Sequence, residues 1–435
     1  MYSRRSFLRT SVLGGSLSAT IPSFLAGTFD ALAGEAQAHS ATQGTTGKDG
    51  PILVVLQLAG GNDGLNALIP FSNDDYYRAR PRLGVPPKDI LKLDQQFGLH
   101  PGLTGLNALY HDGHLGIVHA VGYPNPNRSH FRSTEIWVTA SDSQRVEQHG
   151  WLGRYFDHAC SGAEPTVGVA IGRAMPQAFA ARKPTGVSLE NPNGFKYVDH
   201  DDPTAGELSG GEKFYRQMNA EVGQSGGSIQ SLGSGHLTVD NPRAFLERTA
   251  LDAQISSDII RKVAAKARTN MTYPPSALSA NLKLVAQLIA GGLATRVYYV
   301  SHGGYDTHTN QSGAHTRLLT ELGGSLAAFV ADLKSTGQLD RVLVLTFSEF
   351  GRRVAENQSG GTDHGAAAPL FVAGGRIKAG FHGLIPSLAP KDLVNGDIRF
   401  GTDFRNIYAG VLEGWLRTPS SPILGRKFEP LGLVV

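Results

Sequence analysis

Short, almost continuously apolar runs decide what this chain can fold into. Ile52–Leu58, Leu115–Val121, Arg296–Val300, Val342–Phe347 and Leu370–Val372 are too short for helices and carry few polar residues. Such runs suit strands buried on both faces of a parallel sheet. Helical patterns stand between them. Leu103–Asp112, Pro242–Lys266 and Ser276–Ala290 are amphipathic, and Leu318, Leu322, Leu326, Phe329, Val330 and Leu333 recur at helical spacing. A last helix, capped near Thr402 or Asp403, runs to Leu416. Apolar strands alternating with helices predict an α/β fold whose mainly parallel sheet is flanked by helices. The stretch from about 160 to 240 breaks this rhythm. It is rich in Gly, Asn, Asp and Ser, with Gly223-Gln224-Ser225-Gly226-Gly227-Ser228 at its heart, and reads as a Gly-rich inserted cap region.

Composition bounds the rest. The 435 residues suffice for one large domain or two medium ones, and 40% apolar content with 18% charge excludes a disordered polyelectrolyte. With 40 Lys+Arg against 37 Asp+Glu, no electrostatic footprint for nucleic acid exists. A single cysteine, Cys160, excludes an intramolecular disulfide and any CxxC metal site. The 54 glycines lie well above the usual ~7% and have no collagen period, so tight turns and long surface loops are expected.

The first residues give an address. Arg4-Arg5-Ser6-Phe7-Leu8 precedes a mildly apolar stretch, Thr10–Phe29, and then Ala36-Gln37-Ala38. A charged region, an apolar region and a small-residue cleavage site in this order read as an export signal over 1–38, of the twin-arginine type. The alternative is an amphipathic helix that stays on the protein. No run of ~18 apolar residues follows, so no stable membrane anchor is expected. The expected organisation is a signal (1–38), a linker (39–50) and one domain (51–435) of a periplasmic or extracellular protein. Its export partner would be the twin-arginine machinery.

Polar clusters follow the strands, where ligands bind in open α/β sheets. The first strand ends in Asn62-Asp63 and the second in Asn125-Pro126-Asn127-Arg128-Ser129-His130-Phe131. Later strands end in Tyr305-Asp306-Thr307-His308 and Ser348-Glu349-Phe350-Gly351-Arg352-Arg353, and Thr362-Asp363-His364-Gly365 precedes the next. Each alone has an ordinary explanation: Asp63 as an Asx-turn residue, Ser129 as an N-cap, the arginines as solvated cations. Together, imidazoles and carboxylates on one edge point to an O/N-ligated divalent metal, zinc, calcium or manganese. Trp137 and Trp151 are either core residues or, in a carbohydrate-binding alternative, stacking residues.

These stretches resemble the exported "domain of unknown function 1501" family over roughly residues 50 to 418. That family in turn looks related to the alkaline phosphatase and sulfatase superfamily. The resemblance implies an alkaline phosphatase/sulfatase-like sandwich and a hydrolase of phosphate or sulfate esters. It also implies roles. Asp63 matches the first-strand metal ligand, Ser129 the nucleophile, Asp306 and His308 the carboxylate–imidazole pair, and His364 the final His. Glu349 takes the place of an Asp ligand, and Phe350 stands where that superfamily has an imidazole. If Asp363 and His364 form the second ligand pair instead, His382 becomes the final His. Arg128, Arg352 or Arg353 would clamp a small anionic ester bidentately, with Asn62 and Asn66 as amide donors. The competing class is a non-catalytic binding or structural protein on the same scaffold with a degenerate metal site.

Overall fold

The computed structural model describes residues 49–183, 185–190, 256 and 258–435. The expected signal, nearly all of the linker, residues 191–240 of the expected cap and most of the first half of the Pro242–Lys266 pattern lie outside the described residues. In chain order the strands are β1 (Ile52–Ala59), β2 (Leu68–Ile69), β3 (Leu91–Lys92), β4 (Gly98–Leu99), β5 (Leu115–Gly122), β6 (Gly168–Ile171), β7 (Val187–Leu189), β8 (Val297–Gly303), β9 (Val342–Phe347), β10 (Ala368–Gly374), β11 (Gly380–His382) and β12 (Thr402–Asp403). The main helices are α1 (Thr104–His111), α2 (His130–Thr139), α3 (Trp151–Ala159), α4 (Ala277–Ala290), α5 (Gln311–Ser335) and α6 (Phe404–Gly410).

Nine strands form one sheet in the order β11-β5-β10-β9-β1-β8-β6-β7, with β12 also on β5. Every pair is parallel except the two that β10 makes, with β5 and β9. The fold is thus the expected mainly parallel sheet flanked by helices. One expectation needs correction: β6 and β7 fall inside the stretch read as an inserted cap, yet they extend the main sheet beside β8. Three or four apolar residues between glycine-rich turns are too few for a periodic signal.

The central strand shows why its sequence is apolar throughout. Ile52, Val54, Leu56 and Leu58 pack into one core with α1, α4 and α5, while Leu53 and Val55 enter a second with α2, α3 and α6. A strand buried on both faces has no side left for polar residues. α4 begins where Ser276 caps it, its hydroxyl accepting from the Ser279 amide at 3.0 Å. α5 turns Leu318, Leu322, Leu326, Phe329 and Leu333 to the sheet as one stripe. The last helix departs from expectation, since α6, capped by Asp403, gives way to a π-helical turn over Val411–Trp415. That turn delivers the Trp415 indole N–H to the Ile52 carbonyl at 2.9 Å. Trp137 and Trp151 are core residues, stacked with Phe404 and Tyr408.

The topology positions the site. β1, β5, β8 and β9 all end at the same edge of the sheet, and antiparallel β10 starts there. Segments after four strands and before a fifth therefore meet.

Candidate metal centre

Glycines let these segments approach one another. Gly61 lies in the left-handed region, φ +75°, and a Cβ there would sit 2.3 Å from the Phe350 ring. A Cβ on Gly361 would lie 2.3 Å from the His308 carbonyl. Arg352 ties the segments together from below. Its side chain is buried and donates to the carbonyls of Gly60 (2.5 Å), Gly61 (2.7 Å), Thr362 (2.7 Å) and Tyr305 (3.0 Å), and to Asp306 Oδ1 (2.7 Å).

Among the described residues, His130, Asp306 and His364 form a group able to share a metal ion, with ligand atoms within 4.8 Å of one another. Asp306 Oδ1 lies 3.2 Å from His364 Nε2, and Oδ2 lies 3.4 Å from His130 Nε2. A tetrahedral ion with bonds of about 2.0–2.1 Å spaces its ligands roughly 3.3 Å apart, and each imidazole stands at about that separation from one oxygen of Asp306. His308 stands alongside, its Nε2 3.1 Å from Asp306 and 2.9 Å from His364 Nε2.

The far side of each ring fixes its tautomer. His364 Nδ1 donates to the Arg128 carbonyl (2.8 Å), His130 Nδ1 to Glu349 Oε1 (2.8 Å), and His308 Nδ1 to Asp363 Oδ1 (3.3 Å). All three partners are acceptors, so in the neutral rings every Nε2 carries a lone pair. Those lone pairs face Asp306, itself an acceptor. The Nε2 of His130 is buried and has no hydrogen-bond partner. An orphaned nitrogen aimed at a carboxylate, with each imidazole backed by an oxygen, is the donor set a divalent ion requires. Burial lowers the His364 pKa, which keeps its ring neutral. Partial burial would raise the Asp306 pKa, but the hydrogen bond and charge of Arg352 outweigh it and hold the carboxyl at about 2. Both shifts favour the metal-binding forms.

The remaining candidates sort by position. Glu349 stands one bond behind the centre, orienting His130 while it also accepts from the Gly60 amide at 2.8 Å. Phe350 is a buried wall, with ring centroids 4.4 Å from His364 and 4.9 Å from His130. The polar partners of Asp63 are Arg80, Gln311 and Asn66, none of them in the triad. It is buried against Arg80, and although burial would raise its pKa, that guanidinium holds it below the usual carboxylate range. Asn62 accepts from buried His315 at 2.9 Å and Asn66 from Tyr76 at 2.9 Å. His382 lies on β11 with Nε2 bonded to the Lys378 carbonyl at 2.7 Å, and nothing joins it to the triad. Arg352, its N–H groups spent on carbonyls, is no free clamp. Arg128 and Arg353 are more open, their side chains 38% and 40% exposed, and both approach Asp397. Ser129 is the exposed N-cap of α2 and makes no capping bond. Sequence reasoning passed over His130 in favour of its neighbour. The available signal was an imidazole at the carboxyl end of a central-sheet strand.

Fold and site thus define an α/β protein with a candidate N/O metal centre at the carboxyl edge of its sheet. The chain belongs to the family described as a protein of unknown function, DUF1501, whose profile matches residues 52–424. No curated protein matches the sequence. Solved structures that resemble it include the PsFucS1 sulfatase from Pseudoalteromonas sp., at 13% identity over 90% of this chain and 71% of that one, TM-score 0.33. Another is an alkaline phosphatase superfamily protein from Vibrio parahaemolyticus, at 10% identity over 88% and 70%, TM-score 0.36. A third is the periplasmic domain of EcEptC from Escherichia coli, solved with zinc, at 10% identity over 76% and 74%, TM-score 0.32. Overlaps this loose add nothing to a fold that stands on its own strand order, and nothing about the reaction. Among the described residues, no helix is long and apolar enough to cross a membrane.

Proposed function

We propose that this is an exported, metal-dependent hydrolase of small phosphate or sulfate esters. The observation that carries the reading is the convergence of three acceptor-backed imidazoles on Asp306, with His130 Nε2 left without a partner. The ester class rests on the sequence resemblance. His130, Asp306 and His364 would hold the ion, with His308 as an adjacent donor. A divalent ion supplies charge neutralisation at an ester oxygen and a lowered hydroxyl pKa.

Ser129 is the candidate nucleophile. The residue is exposed, and its two neighbours are both anchored: the Arg128 carbonyl by His364 and the His130 ring by Glu349. The ten-residue helix α2 begins beside it and favours negative charge there. Arg128 and Arg353 supply half-open cations for the ester's anionic oxygens, in a geometry a guanidinium serves well. One observation favours a non-catalytic binding protein instead: Phe350 places an apolar ring where the resemblance expects an imidazole.

The test uses purified mature protein. Elemental analysis should find a transition metal that His364→Ala removes. Hydrolysis of p-nitrophenyl phosphate or sulfate should vanish with chelator and fall at least a hundredfold in Ser129→Ala. Metal without any hydrolysis, or no metal at all, would overturn the hydrolase reading and favour the non-catalytic one. For export, Arg4→Lys with Arg5→Lys should trap the protein in the cytoplasm.

A further inference from the structure

Asp63 is a carboxylate that the sequence offers to a metal, and the fold has already given it a cation. Arg80 Nη1 lies 2.6 Å from Asp63 Oδ2, and both side chains are wholly buried. Gln311 Nε2 donates to the same oxygen at 2.5 Å, and the Asn66 amide donates to Oδ1 at 3.4 Å. The guanidinium is equally committed. Its Nε donates to the Val354 carbonyl (2.9 Å), Nη1 also to Asn66 Oδ1 (2.7 Å), and Nη2 to the Arg353 carbonyl (3.0 Å).

A divalent ion could bind Asp63 only by displacing that guanidinium or by sitting beside it. Arginine cannot yield by losing its proton, since its pKa stays above ~12. Displacement would leave a buried cation unpaired, among the costliest changes a protein interior can suffer. Asp63 also serves the centre without touching metal. The Gln311 oxygen accepts from Thr307 Oγ1 at 3.0 Å and Thr362 Oγ1 at 2.6 Å, residues adjacent to His308 and Asp363. The chain Arg80–Asp63–Gln311 therefore braces the two loops that carry His308 and His364.

Resting on the metal-centre reading above, we propose that the site is mononuclear. The single ion belongs to His130, Asp306 and His364, and Arg80 is a built-in cation that neutralises Asp63 permanently in place of a second ion. Arg80, Asp63 and Gln311 are positioning residues.

The test is metal stoichiometry on the full mature chain, stripped with chelator and titrated with Mn2+. Calorimetry should find one equivalent per chain. Electron paramagnetic resonance should show the isolated six-line pattern of a lone Mn2+ even at two equivalents, together with free ion. Asp63→Asn should keep the one equivalent with affinity within about tenfold, whereas His364→Ala should lose it. Two tight equivalents in the unaltered protein, or a spin-coupled spectrum, would overturn the proposal even if Asp63→Asn fails to fold. No binding at all would overturn the metal-centre reading, and this inference with it.

Discussion

Replacing Glu349 tests whether a buried carboxylate governs the metal without touching it. Its Oε1 accepts from His130 Nδ1 and from the Gly60 amide, both at 2.8 Å, and the residue is 2% exposed. Glu349→Ala leaves both donors without their shared acceptor. A fully buried donor left unpaired costs ~1–3 kcal/mol, and both of these are only part-buried, so the variant should lose about 1–3 kcal/mol of stability in all. Glu349→Gln separates the two roles. Its amide oxygen still accepts from both donors, but the negative charge that makes the imidazole a stronger ligand is gone. Loss of such a backing group typically weakens metal binding by about 10–100-fold, or roughly 1.4–2.7 kcal/mol. The assay is zinc affinity by chelator competition at neutral pH, read beside a denaturant melt. Glu349→Gln should melt within about 1 kcal/mol of the parent while binding zinc at least tenfold more weakly. Unchanged zinc affinity in a folded Glu349→Gln protein would refute the reasoning, because His130 would then not be a ligand that Glu349 supports.

Two further outcomes follow from buried polar groups. His119, between the Phe97 and Phe381 rings with its Nε2 unpaired, has its pKa lowered by burial to about 4. Because the folded ring resists protonation while the unfolded one titrates near 6.5, stability is full above that pH and falls as pH drops toward 4; His119→Leu should remove ~2 kcal/mol of the loss between pH 7.5 and 5, measured by urea melts at both. Arg352→Lys keeps the charge but cannot span four carbonyls, so it should lose about 3–5 kcal/mol in the same melt and weaken metal binding, since Asp306 loses its 2.7 Å anchor.

The sheet was legible because its physics is local. A strand buried on both faces must be apolar at every position, and Val342–Phe347 matches its strand residue for residue. β6 and β7 were not legible, because three or four residues between glycine-rich turns carry no period. The site was legible only as an edge. Polar clusters after consecutive parallel strands must meet, and the antiparallel β10 brings His364 to them although it precedes a strand. What each cluster member does there was not legible. Asp63 and Asp306 look alike in sequence, each after a strand and among glycines. The difference is made by Arg80, which stands at the end of the short helix Asp74–Ala79 and reaches back to Asp63 across 17 positions. No spacing rule announces such a partner.

The imidazole arrangement carries one last consequence. An ordinary hydrogen-bond network alternates donors with acceptors, but here acceptors face one another because Glu349, Asp363 and the Arg128 carbonyl hold the protons on the far nitrogens. A proton shared between His308 and His364, 2.9 Å apart, would relieve one pair. It would still leave His130 Nε2 without a partner. A cation reaching both sides of Asp306 satisfies the whole set at once. Zinc or manganese at a thousandfold excess over its dissociation constant should therefore stabilise the stripped protein by about 4 kcal/mol. A proton-relieved cluster and a metal-relieved cluster differ at His130. If the metal reading holds, His130→Ala abolishes the metal-induced rise in melting temperature. A rise that survives His130→Ala but disappears in His308→Ala would move the ion to the other side of Asp306 and remove His130 from the centre.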